Sequence, residues 1–180
     1  MKRWLNVGVD TGLAWPREPM VVPYAGRTIH LLPRGDGTLP TVSVAYDDLG
    51  PYVHPSLEDD TGEPRCADRT EAHRVIKRFL SVLAWSTSYH ITERNEDTGP
   101  LRAALDYRPP NGGGPGHIFE FYMDCLPVPA DDNSRFALAF YRDGLSARSV
   151  PYQFLCFAKV LNLRLDNGPK QKAWINATLD

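Results

Sequence analysis

The tripeptide Asp10-Thr11-Gly12, led in by Val7-Gly8-Val9, has residue types suited to acid–base chemistry. Aspartic proteases present a carboxylate on a hydrophobic-Asp-Thr-Gly turn, and their reaction needs two carboxylates sharing one proton. A single turn of this kind serves only if a dimer completes the pair. Leu13 stands where Ser or Ala is usual, and no later apolar pair leading to a glycine resembles the second structural element of that family. The plainer reading is a strand ending in an Asp-capped turn. As the phosphate loop of an actin-like ATPase the same residues would need a much longer chain.

Other reactive patterns are weaker. The glycine run of 112–116 lacks the Lys-Ser/Thr of a phosphate-binding loop and opens no helix. The histidines, His30, His54, His73, His90 and His117, include no pair at i, i+3 or i, i+4, and none sits in an HExxH pattern. No GxSxG elbow occurs. Cys66, Cys125 and Cys156 form no CxxC pair, so neither a zinc site nor a disulfide framework is expected. These patterns assign no catalytic residue, no metal ligand and no cofactor. Arg142, Tyr152, Lys159 and Trp174 remain as candidate binding residues. Arg142 and Lys159 are charges on helices that otherwise read as buried, so each must pair, snorkel or bind something. Trp174 reads as a core or interface anchor.

The elements that would position them follow from pattern. Trp4–Val9, Met20–Tyr24, Thr28–Leu32 and Pro40–Tyr46 read as short strands, with Ala25-Gly26-Arg27 as a hairpin connection. Prolines at 16, 19, 23, 33 and 40 keep them short or at edges. Residues 50–66 read as a loop. A helix begins at Asp68, where Asp68 and Glu71 have capping-box spacing. Its apolar stripe is Ala72, Val75, Ile76, Phe79, Leu80 and Leu83, with His73, Arg74, Lys77 and Arg78 on the solvent side. Beyond Trp85 the pattern weakens. His117–Met123 is aromatic-rich and reads as a further strand.

Three helices then follow. Asp132 or Asn133 caps the first, Ser149 with Pro151 opens the second, and Asn167-Gly168 ends that one before Pro169 begins the last. The middle helix, SVPYQFLCFAKVLNL, is apolar nearly all round, which predicts a packing centre in core contact with the Asp68 helix. The fold class expected is α+β. Its expected parts are a strand-rich 1–66, a helix, loop and strand over 67–130, and a helical 131–180, in one compact domain. The last helix reaches Asp180 without a glycine cap, so a fragment is one expectation.

Composition bounds the partners. The 20 basic and 22 acidic residues leave a formal net charge of -2, with no footprint for nucleic acid. Asn6, Asp10 and Arg17 interrupt the N-terminal apolar residues, so neither a leader nor a membrane span is expected. The expected setting is cytoplasmic and the expected partner is a protein.

Tyr141-Arg142, Pro151-Tyr152-Gln153-Phe154-Leu155, Lys159, Gly168-Pro169-Lys170-Gln171 and Trp174-Ile175-Asn176 together resemble the methylamine utilization protein MauJ family. Trp4–Val9, Ala14-Trp15-Pro16, Arg78–Ser81 and Ala84-Trp85 look like the family's earlier segments, in the same order. The resemblance implies an accessory role in bacterial methylamine oxidation, such as maturation of methylamine dehydrogenase, and carries over no catalytic residues. Family members continue into helices resembling HEPN domains, some of which are ribonucleases using Arg-x4-6-His. Here Arg69 and His73 enclose three residues, and Arg65 and His73 enclose seven. Two readings therefore stand: a MauJ-like accessory protein, or the sensor portion of a HEPN-associated ribonuclease or defence protein.

Overall fold

A computed structural model describes residues 2–33, 39–47, 67–99, 126–165 and 167–178. The architecture is α+β. Among the described residues five strands form one sheet in the order β2-β3-β4-β1-β5, and there are four helices. The elements are β1 (Lys2–Thr11), β2 (Met20–Tyr24), β3 (Arg27–Leu32), β4 (Thr41–Asp47), α1 (Ala67–Thr87), β5 (Ile91–Gly99), α2 (Asp132–Ser146), α3 (Val150–Arg164) and α4 (Gly168–Thr178). The strand expected at His117–Met123, the loop of 50–66, the glycine run, Cys66 and Cys125 lie outside the described residues. No described helix is long and apolar enough to cross a membrane.

The chain divides into two compact units, the first built from Met1–Asp10, Ala14–Lys77 and Glu93–Met123 and the second from Thr11–Leu13, Arg78–Thr92 and Asp124–Asp180. In the first, β2 and β3 pair antiparallel with Val22 opposite Ile29. Their two-residue turn places Ala25 at φ 49° and Gly26 at φ 75°. Positive φ at both positions marks the turn type that matches the twist of paired strands. The antiparallel register continues with Ile29 opposite Val44 and Leu5 opposite Val44. One sheet face is thereby apolar: Leu5, Val7, Val9, Val22, Ile29, Leu31, Val42 and Val44 are all buried.

The opposite face departs from the half-buried strand expected around Val42 and Val44. Asn6 and Ser43 face each other across β1 and β4, and the Ser43 hydroxyl donates to Asn6 Oδ1 at 2.7 Å, with both residues buried. A buried polar pair is tolerated because each group satisfies the other. Nearby, Trp4 meets His30 edge-on at 4.8 Å.

The amphipathic stripe forms α1 as its spacing predicts. Ala72, Val75 and Ile76, which belong to the first unit, and Phe79, Leu80, Val82, Leu83 and Ala84, which belong to the second, are all buried. Each large side chain so removed from water contributes about 1.5–3 kcal/mol. The capping box is a correction. Asp68 turns away from its own helix, accepting from the Arg27 guanidinium and from the Asp47 N–H at 2.7 Å. At the other end Ser88 adopts φ 57° and its N–H closes on Ala84 O at 2.9 Å, a helix stop without glycine.

β5 was not legible in the sequence. Its residues, ITERNEDTG, contain one large apolar side chain, and Ile91 is the buried one. The segment becomes a strand because β1 offers it an edge to pair with.

Candidate functional site

The Asp10 turn is held by other groups than expected. Asp10 pairs with Arg94 at 2.7 Å. The turn itself is closed by Thr11, whose hydroxyl donates to His90 O at 2.8 Å and accepts from Leu13 N–H at 3.0 Å. A carboxylate against a guanidinium is not half of a proton-sharing pair.

A second polar cluster bridges α1 and β5. His73 Nε2 stands 3.3 Å from Glu93 Oε2, and its Nδ1 faces Glu96 at 3.7 Å. Arg69 also reaches Glu96, at 2.6 Å. The ring was expected on the solvent side of the helix but is half-buried here. Its two nitrogens address different carboxylates, so the three groups do not converge on one point. Among the described residues no group of three or more His, Cys, Asp or Glu is placed to hold a metal ion. Burial holds His30, beneath Trp4, below the usual imidazole range.

The candidate binding residues all lie on the C-terminal helices. α2 is capped by Asp131, ahead of the expected Asp132 or Asn133, through a 2.7 Å bond from Ser134 N–H. That bond, with help from Arg135, keeps the Asp131 carboxyl below its usual range. Gly144 on α2 lets α3 approach closely, with Phe157 and Cys156 against it. Gln153 Nε2 donates to Ala147 O at 2.7 Å and pins the turn between the two helices. Ser149 precedes α3 but makes no side-chain cap bond, and Pro151 sits in its first turn. Asn167 does not end α3, which closes at Leu165. Instead its Oδ1 accepts from Lys170 N–H at 3.0 Å and caps α4. Gln171 joins α4 to α3 by bonding Asn162 and, at 2.8 Å, Leu165 O.

Each candidate has its own surroundings. Arg142 is largely buried, with Asp143 at the outer limit of pairing, 3.9 Å. Lys159 holds its ammonium 4.9 Å from the Phe140 ring, a cation–π contact. Tyr152 is exposed on α3, and hydrogen bonding to Cys156 keeps its phenol above the usual range. Trp174 is 47% exposed, so it is no core anchor. Cys156 itself is buried, as a small hydrophobe should be.

α3 overturns the expectation of a buried packing centre. Cys156 is its buried residue, while Val150, Phe154 and Leu155 stand 73, 74 and 48% exposed. Among the described residues α3 packs against α2. α4 is exposed along most of its length, including Ile175. Large apolar side chains are therefore exposed on both helices. Phe154, Leu155 and Ile175 were missed as candidates, since all-round apolar character reads as burial before a partner is considered.

This surface coincides with the family likeness. Residues 137–180 match the model of the methylamine utilization protein MauJ family. The match spans about a quarter of the chain and takes in most of α2 and all of α3 and α4. MauJ similarity is thereby shown for the segment carrying Arg142, Tyr152, Lys159 and Trp174. No curated protein and no solved structure matches the chain.

Proposed function

We propose that the chain is a MauJ-like accessory protein of bacterial methylamine utilization, cytoplasmic and non-enzymatic, acting by binding another protein. One observation carries this reading. Six of the ten large apolar side chains exposed among the described residues lie in the segment matched by the MauJ model, Phe154 and Val150 foremost. Uncovered apolar area of this kind is buried when a partner docks. The buried free thiol of Cys156 suits a reducing compartment.

Deletion of the gene in a host grown on methylamine as sole nitrogen or carbon source tests the role. Growth should fail, return with the wild-type gene, and stay impaired with Phe154→Ser/Ile175→Ser. Undiminished growth of the deletion strain on methylamine overturns the assignment.

A further inference from the structure

We infer that the α3–α4 surface docks an acidic, apolar-striped helix of a partner protein. This deepens the accessory reading and rests on it. Two features of the surface converge. Apolar side chains project from it on both helices: Phe154, Leu155 and Tyr152 from α3, Ile175 from α4. Around them basic residues outnumber acids. From Asp143 to Asp180 the chain has five basic residues, Arg148, Lys159, Arg164, Lys170 and Lys172, and three acids, Asp143, Asp166 and Asp180. All five cations are exposed. The whole chain is nonetheless net acidic at -2, so positive charge is concentrated on this pair of helices.

The pattern selects its occupant. Apolar anchors ringed by cations are complementary to apolar residues flanked by carboxylates, where the charges steer the encounter and the apolar centre supplies the affinity. α3 has 15 residues, about 22 Å of helix, which a partner helix of similar length covers. A second copy docking through the same face would set cations against cations. A lipid surface favours a helix whose apolar residues lie along one side, whereas those of α3 run round it.

The probe is a synthetic helical peptide with leucines along one face and glutamates on the other, fluorescein-labelled and titrated with the full chain. Its twin carries lysine for every glutamate. The glutamate peptide should bind at least about tenfold more tightly than the twin. Phe154→Ala and the charge reversal Arg164→Glu/Lys172→Glu should each weaken it about tenfold with the circular dichroism spectrum unchanged. Equal binding of the two peptides, or none of either, overturns the proposal. So does preferential binding to phosphatidylglycerol vesicles, or self-association in sedimentation equilibrium that the peptide fails to reverse. Growth on methylamine separates this idea from the one beneath it. If the charge-reversed chain restores full growth, the accessory role stands and the acidic partner is lost.

Discussion

Gly144 and Phe157 meet so closely that a Cβ at position 144 would stand 2.7 Å from the Phe157 ring. The absence of a side chain on α2 is what lets α3 seat against it. Gly144→Ala should therefore destabilise the second unit by about 1–3 kcal/mol through overpacking. The gain of about 1 kcal/mol that alanine brings to a helix interior is smaller than the clash. Urea unfolding followed by circular dichroism checks the sign. A variant more stable than the parent would mean that the ring moves aside freely.

The hairpin between β2 and β3 places alanine where φ is 49°. A side chain with a Cβ is strained there, and asparagine before glycine is the pair this turn prefers. Ala25→Asn should raise stability by about 0.5–1 kcal/mol, read as a higher urea midpoint with an unchanged slope.

Asp68 ties the start of α1 to Arg27 and to the backbone at Asp47. The Arg27 hydrogen bond first, and the Asp47 N–H second, hold its carboxyl below the usual carboxylate range. The unfolded chain therefore takes up this proton at higher pH than the folded one. Stability from the pair is present above the ordinary carboxylate range and is lost as pH falls through the depressed folded value. Asp68→Asn should cost about 1 kcal/mol at neutral pH. The gap to the parent should close between about pH 5 and pH 2. A gap independent of pH would show that the charge is not what matters.

Two phenylalanines should behave as opposites. Phe79 is fully buried on α1 and Phe154 is 74% exposed on α3. Phe79→Ala should cost about 3–5 kcal/mol, while Phe154→Ala should change stability by no more than about 0.5 kcal/mol. Thermal unfolding of both variants decides it. A large loss at Phe154 would mean that the residue is packed within the chain, and the docking surface would go with it.

The amphipathic stripe of α1, the first four strands, the hairpin and the three C-terminal helices were all legible in the sequence. Their signals are local: period 3.6 in Ala72–Leu83, short β-prone runs, and a glycine turn. The family likeness was legible for the same reason, since Pro151–Leu155 and Gly168–Gln171 are contiguous wording. Placement required the tertiary structure. β5 has no apolar alternation and exists because β1 has an edge for it to pair with. Asp68, His73 and Asp10 found partners 41, 20 and 84 residues away, at Arg27, Glu93 and Arg94, distances over which local pattern carries no information. α3 is the clearest case. Its composition determined that it would be helical and apolar, but whether such a helix is covered by its own chain or left open depends on which other faces compete for the core. In α3, Cys156 and Phe157 turn to Gly144 of α2, and Tyr152 and Phe154 are left toward solvent.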